Sequence, residues 1–332
     1  MPVSFIEVSA DEHDSRLDRW LRRRYPFLGQ GVIQKLCRTG QIRIEGKRAE
    51  ASSRVEQGQT VRIPPLPQGP AEEDKKRSTS QYSPDDIAHN RAELQEMTLY
   101  EDDDLLVINK PSGLAVQGGS GIKRHVDGLL ESLALSSLER FRLVHRIDRE
   151  TSGLLLVAKT AGVAAKLAAL FKDRSIKKTY WAVVYGVPTP REGIIDTPLI
   201  PTIKGGEKVM VSAARKQEGA LRAITEYEVK GYAGRKMAWL ELSPHTGRTH
   251  QLRAHCAAMG TPIIGDARYG VQTEISVMEK NQHRLHLHAR KLEFLHPRGG
   301  VLQVVAPLPD HMDDTFRALG FMVPKQPVVS RN

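Results

Sequence analysis

Cysteine is nearly absent from this sequence. Cys37 and Cys256 are the only two in 332 residues, they lie far apart, and neither sits in a Cys-x-x-Cys. That excludes a disulfide framework and a cysteine-based zinc site, and makes a reducing, cytoplasmic setting the expectation. No stretch approaches the roughly 18 consecutive apolar residues of a membrane-spanning helix. The opening residues lack a basic start followed by an apolar core, so no secretory signal is expected. Also missing are the phosphate-loop pattern Gly-x4-Gly-Lys-Ser/Thr, the dinucleotide pattern Gly-x-Gly-x-x-Gly and the hydrolase elbow Gly-x-Ser-x-Gly. Nucleotide-dependent and serine-hydrolase chemistry therefore have no support. No repeat at solenoid periods is visible.

Positive charge is in excess. The chain carries 49 Lys+Arg against 39 Asp+Glu, a net +10. With 40% hydrophobic residues it is expected to fold as about two domains with real cores. Charge alone points to a polyanion without choosing between nucleic acid and an anionic membrane. Its distribution is more informative. Residues 14–63 hold 12 basic side chains against 5 acids, so +7 of the +10 lies there.

That segment reads as a folded module. Ser15 is placed to cap a helix with Leu17, Trp20, Leu21 and Tyr25 at helical spacing. Pro26 and Gly29 interrupt it. A second helix runs through Val32, Ile33, Leu36 and Cys37 and stops at Gly40. Ile42 and Ile44 alternate on a strand, Glu45-Gly46 makes a turn, and Val61 and Ile63 mark another strand. Arg16, Arg19, Arg22, Arg23, Lys35, Arg38, Arg43 and Lys47 fall on polar faces, where they suit phosphate contacts as well as ordinary solvation. The run Arg16-Leu17-Asp18-Arg19-Trp20-Leu21, with Ile33, Gly40, Ile42-Arg43-Ile44-Glu45-Gly46-Lys47 and Gly58 before Val61, resembles the S4-type RNA-binding module. Glu45 stands where that module usually has Asn. The resemblance implies RNA binding and no chemistry. Residues 64–96, opened by Pro64, Pro65, Pro67 and Pro70 and then polar, read as a linker.

The larger domain is expected over 97–322. Leu105–Ile108 reads as a buried strand ending at Asn109-Lys110-Pro111, and Val126 to Leu138 as a helix. A polar loop, His145 to Gly153, opens into the apolar strand Leu154–Val157. Ala161–Phe171 reads as a helix, Lys178–Tyr185 as a strand and Thr249–Met259 as a helix closed by Gly260. Strands dominate near Leu285–Phe294 and Leu302–Val305. Strands outnumber helices without regular alternation, so the expected class is α+β with a mostly antiparallel sheet.

Three side chains stand out chemically. Asp148 lies between Arg146 and Arg149, whose charges favour an ionised carboxylate suited to a nucleophile or a base; it is equally placed to cap a turn through the Thr151 and Ser152 amides. Arg253 follows His250 by three residues on the helix entered from Thr246-Gly247-Arg248, and a surface ion pair would also explain it. Tyr180 precedes Trp181 on a strand, so the two rings face opposite sides and one is free to face a cleft or the core. His283, His286 and His288 cluster within six residues, but with no Cys, Asp or Glu among them a zinc site is not expected.

These motifs together resemble the RluA-type pseudouridine synthases. His145-Arg146-Ile147-Asp148-Arg149-Glu150-Thr151-Ser152-Gly153 looks like their catalytic signature, with Ile147 in place of the usual Leu. Asn109-Lys110-Pro111-Ser112-Gly113-Leu114-Ala115-Val116, Lys178-Thr179-Tyr180-Trp181-Ala182 and Thr246-Gly247-Arg248-Thr249-His250-Gln251-Leu252-Arg253 match the other family motifs. The late strand Leu287-His288-Ala289, with Leu292, Phe294 and His296-Pro297, fits as well. The loop Val116-Gln117-Gly118-Gly119-Ser120-Gly121 looks like the RluC-like branch, which modifies large-subunit ribosomal RNA, although Gln117 replaces the usual His. The resemblance implies a catalytic domain of that family's fold and cofactor-free isomerisation of uridine to pseudouridine in a flipped-out nucleotide. It implies that Asp148 acts at the ribose, as nucleophile at C1′ or base at C2′, that Arg253 pairs with Asp148, that Tyr180 stacks on the uracil, and that Arg146 fills the space the base leaves. Arg248 joins the RNA contacts. A monomer acting on ribosomal RNA, with no membrane role and no nucleotide cofactor, is expected. A synthase acting on transfer RNA and a non-catalytic S4-type ribosome-assembly protein are the alternatives.

Overall fold

Leu17, Trp20 and Leu21 recur at the spacing of one helix face, and that face is buried without exposure in the first of two structural units. The computed structural model describes residues 3–9, 12–25, 28–66, 83–119, 121–134, 141–270 and 283–331. The chain divides at Ser83/Pro84. The first unit contains the helices Leu17–Arg24 and Gln30–Arg38 and six short strands. These are β1 (Ser4–Glu7), β2 (Ser15–Arg16), β3 (Arg43–Ile44), β4 (Lys47–Arg48), β5 (Arg54–Val55) and β6 (Thr60–Ile63). The sheet order is β1-β6-β3-β4, with β2 paired to β5. Trp20, Ile33, Cys37, Ile42, Val55, Val61 and Ile63 close the core between helices and sheet. Glu45 and Gly46 both have positive φ (50° and 71°), the two-residue hairpin turn that joins β3 to β4.

Ser15 does not cap the first helix. It pairs with Val55 on β2, and Arg16 occupies the N-cap position with no side-chain cap. The first helical amides find backbone carbonyls instead: Leu17 N donates to Ser53 O (2.7 Å) and Asp18 N to Ala51 O (3.0 Å).

The second unit is built on an eleven-stranded sheet. Its strands are β7 (Thr98–Glu101), β8 (Leu105–Lys110), β9 (Arg142–Leu143), β10 (Ser152–Ala158), β11 (Lys177–Tyr185), β12 (Glu192–Asp196), β15 (Ile224–Ala233), β16 (Met237–Pro244), β17 (Leu287–Leu295), β18 (Val301–Val305) and β19 (Val329–Arg331). The spine runs β12-β15-β16-β11-β17-β10-β8-β7, with β9 on β10 and β18-β19 continuing from β17. Among these strands only the β10–β17 pairing is parallel, so the α+β, mostly antiparallel expectation holds. A separate hairpin is formed by β13 (Leu199–Lys204) and β14 (Glu207–Ser212).

Alternation along β11 explains how helices cover both faces. Ala182 and Val184 pack with Leu252 and Cys256 of the helix Gln251–Ala258. Trp181 and Val183 pack the other way, against Met312 and Phe316 of the helix Asp310–Leu319. A third cluster joins β8 and β10 to Val163 and Leu167 of the helix Ala161–Lys172.

Both sequence-based boundaries of this unit were too narrow. Residues 84–96, assigned to the linker, belong to the helix Pro84–Met97, which has Pro at its start and Asp85 and Asp86 in its first turn. Leu94 and Met97 are buried, and Asn90 donates to Ser132 (3.0 Å). Its apolar positions are too few to show a helical period. At the other end, the three-residue strand β19 pairs with β18 beyond residue 322. The remaining linker, 67–82, the Pro26 break and the last residues of the helix expected to reach Leu138 lie outside the described residues.

Candidate active site

The loop 145–151 is anchored through its backbone. Ser152 and Gly153 begin β10 beside His288 and Ala289 of β17. A Cβ on Gly153, whose φ is 106°, would lie 2.3 Å from Ala289 O, so the two strands approach this closely only with glycine there. Ser152 Oγ meets His288 Nδ1 at 2.9 Å. The Asn109–Val116 segment grips the loop from the other side. Lys110 Nζ donates to the carbonyls of Pro111 (2.8 Å), Leu114 (2.8 Å) and Arg149 (3.0 Å). Ser112 Oγ donates to Glu150 O (2.7 Å), and Gly113 N to Arg149 O (2.9 Å). Burial pushes the Lys110 ammonium down to about 7, against the opposing pull of Glu150 and Asp148.

This scaffold delivers Asp148 into a cleft of about 470 Å³. The same cleft is lined by Arg146, Tyr180, Arg248, His250 and Arg253, so all four predicted catalytic residues and Arg248 converge there. Asp148 does bend a turn, but with its backbone: Thr151 N donates to Asp148 O (3.1 Å). Arg149 turns to Glu150 (2.8 Å). Among the described residues none donates a hydrogen bond to the Asp148 carboxylate, which is therefore available to a ligand.

Tyr180 enters through a β-bulge, a register shift between Thr179 and Tyr180 against β17 that re-aims the side chain. Burial first, and then the Asp148 charge, hold its phenol above the ordinary range, so it stays protonated near neutral pH. Trp181 faces the opposite side of the sheet, stacking edge-on against Trp239, as expected from strand alternation.

Arg253 departs from the sequence reading. Its ion-pair partner is Asp266, not Asp148: Nε donates to Oδ2 (2.7 Å) and Nη2 to Oδ1 (2.6 Å), both side chains buried. Asp148 acts on Arg253 only as a further nearby charge. Asp266 is fixed in turn by the amides of Arg268 and Tyr269 (3.0 Å each). His250 is not on the helix with Arg253. It is the N-cap residue, in left-handed conformation at φ 51°. Gln251 staples the entry loop: its Oε1 accepts from Thr246 Oγ1 (2.7 Å) and Arg248 N (3.1 Å).

The sequence reading missed Asp266 and the cleft-lining cations Lys172, Arg174 and Lys178. Burial, followed by Arg174, lowers the Lys178 ammonium's pKa. In the first unit Arg19, Arg22, Arg23, Lys35, Arg38 and Lys47 are exposed. Arg16 is paired with Asp18 (2.8 Å), and Arg43 donates to the carbonyls of Gly40 and Gly46. Of His283, His286 and His288, two have protein partners: His286 Nε2 meets Thr315 Oγ1, and His288 Nδ1 meets Ser152 Oγ.

Comparison with known proteins gives the family. The RNA pseudouridylate synthase family model matches residues 104–258. Vibrio parahaemolyticus has a "Ribosomal large subunit pseudouridine synthase C" 34% identical over 321 residues, 96% of this chain and 96% of that protein. The protein of that name in Rickettsia bellii is 41% identical over 256 residues, 77% of this chain and 83% of its own length. Among solved structures, "Human RNA Pseudouridylate Synthase Domain Containing 4" superposes with a TM-score of 0.60 at 29% identity, over 72% of this chain and 98% of that one. Identity sustained over nearly the whole length of both chains is common descent, and the chain belongs to the RNA pseudouridylate synthase family.

Proposed function

We propose that this enzyme isomerises uridine to pseudouridine in large-subunit ribosomal RNA, the substrate named for its relatives in Vibrio and Rickettsia. The observation that carries the chemistry is an Asp148 carboxylate, free of hydrogen bonds from the described residues, in one cleft with Tyr180, Arg146 and Arg253.

The target nucleotide leaves its stack at a cost of a few kcal/mol and enters the cleft. Arg146, exposed on the rim, takes the space of the extruded base. Asp148 acts on the ribose, adding to C1′ or removing the C2′ proton, while the C1′–N1 bond breaks and its electron pair moves into the uracil. The base turns, and C5 bonds to C1′ as the Asp148–C1′ bond breaks or, on the other route, as Asp148 returns the proton to C2′; the C5 proton is then lost to solvent and N1 takes one up, so the product is an isomer of the substrate. Tyr180, a neutral phenol, stacks on the uracil and holds it during the turn. Arg253, held by Asp266, places a fixed positive charge near Asp148. No electron donor or energy source enters this balance. Arg248 at the cleft, and Arg16, Arg19, Arg22, Arg23, Lys35, Arg38, Arg43 and Lys47 of the first unit, supply contacts to phosphates, which position RNA without reading its sequence.

Asp148→Asn tests the reading. Pseudouridine should disappear from defined positions of large-subunit ribosomal RNA in cells carrying only the variant, while the purified variant still binds that RNA. Retention of every pseudouridine would refute it.

A further inference from the structure

Two hydrogen bonds to Tyr269, a neighbour of the cleft residue His250, bear on more than position. Tyr269 Oη accepts from the backbone N–H of Met210 (2.7 Å) and lies 3.0 Å from His250 Nδ1. Tyr269 stays a phenol, because burial first of all raises its pKa. With Met210 donating to one lone pair of Oη, the phenol's O–H is free to point at His250 Nδ1, the arrangement in which Nδ1 accepts and the imidazole proton sits on Nε2. The ring is further held edge-on against Tyr269, with centroids 5.7 Å apart. Burial also lowers the His250 pKa, opposed by the Asp148 charge, which favours a ring that is uncharged at neutral pH. His250 lines the cleft beside Asp148 and Tyr180. Among the described residues no protein group meets its Nε2, nor is that atom buried without a partner.

We infer that His250 is a substrate-contacting residue: oriented by Tyr269, it presents a neutral Nε2–H to a carbonyl oxygen of the uracil. This rests on the functional reading above. When C1′–N1 breaks, the bonding electron pair passes to the base and negative charge grows on its carbonyl oxygens. A fixed donor meets that charge without a proton changing hands, and it does most where charge develops, in the transition state. The donor must also let go as the base turns, which a neutral N–H does more readily than a cation.

The test uses the full-length protein on unmodified large-subunit ribosomal RNA carrying tritium at uridine C5, with tritium release followed under single turnover. Removal of the donor in His250→Ala should slow release by about 100-fold with RNA affinity unchanged. His250→Gln, whose amide nitrogen reaches the place of Nε2, should recover most of the rate, which a merely structural histidine would not allow. In protein labelled with 15N-histidine, the signal missing from His250→Gln should show a protonated Nε2 and an unprotonated Nδ1, and Tyr269→Phe should erode that preference. A wild-type rate in His250→Ala, or an Nδ1–H ring in the unaltered protein, overturns the inference. The NMR result is read on unaltered protein and decides the matter even where His250→Ala fails to fold. Asp148→Asn separates the two levels. If it is inactive while His250→Ala matches wild type, only this inference falls. If wild type releases no tritium, the functional reading falls and takes the inference with it.

Discussion

Asp266→Asn probes the part of the cleft that the sequence did not reveal. Oδ1 of Asp266 accepts from Arg253 Nη2 at 2.6 Å and from two backbone amides at 3.0 Å, and Oδ2 accepts from Arg253 Nε at 2.7 Å. The side chains are 5% and 0% exposed. Asparagine keeps one oxygen and its three bonds, but turns an NH2 toward Arg253 Nε, donor against donor, and removes the carboxylate charge. Orphaning a buried ion costs about 3–5 kcal/mol, and the retained bonds hold the loss near the lower end, about 3 kcal/mol. That is a large share of a typical domain's stability of roughly 5–15 kcal/mol. Urea unfolding followed by the fluorescence of Trp181 and Trp239, both in this unit, reads it as a lower midpoint. Arg253→Met should then cost less in the Asp266→Asn background than in wild type, because the guanidinium already lacks its partner. Tritium release should slow by about tenfold as Arg253 shifts relative to Asp148. A loss below about 1 kcal/mol together with an unchanged rate would show that other groups hold Arg253.

Two further predictions concern stability. Gly153→Ala combines a positive φ with a Cβ 2.3 Å from Ala289 O and should cost about 2–6 kcal/mol, seen as a lower urea midpoint, whereas a change below about 1 kcal/mol would mean the β10–β17 approach yields easily. Burial lowers His286 to about 4 and His288 to about 3, so below the ordinary histidine range the unfolded chain takes up protons that the folded one refuses. Their stabilisation is complete above about pH 6.5 and lost as pH falls toward 4 and 3, of order 3 kcal/mol for His286 and of order 5 kcal/mol for His288, so the urea midpoint should drop over that window and less steeply in His286→Gln.

The elements that were legible in sequence share a local signature. Leu154–Val157 and Leu105–Ile108 are unbroken apolar runs, and both are strands buried on two faces. Glu45-Gly46 carries its turn in its own chemistry. What escaped is set by distant contacts. The Pro84–Met97 helix buries only Asn90, Leu94 and Met97, too few to write a period into the sequence. Ser15 has the right chemistry for a cap, but carbonyls from Ser53 and Ala51 reach the helix amides and free it to pair on β2. Asp266 lies thirteen residues beyond Arg253 in an irregular segment, and only the fold brings the two side chains together.

The anchoring of Asp148 shows the same limit at the carboxylate to which the proposed function gives the chemistry. Lys110, Ser112 and Gly113 hold the carbonyls of Arg149 and Glu150, atoms every residue possesses, so nothing in the identity of 149 or 150 announces the contact. The arrangement has a chemical consequence. A carboxylate positioned by its own hydrogen bonds would have its lone pairs occupied. Asp148 is instead positioned through its neighbours' backbone, and its oxygens are left for the substrate. On the proposed function, geometry and reactivity are thereby separated: contacts to backbone carbonyls hold the loop while the carboxylate it carries stays open to the ribose.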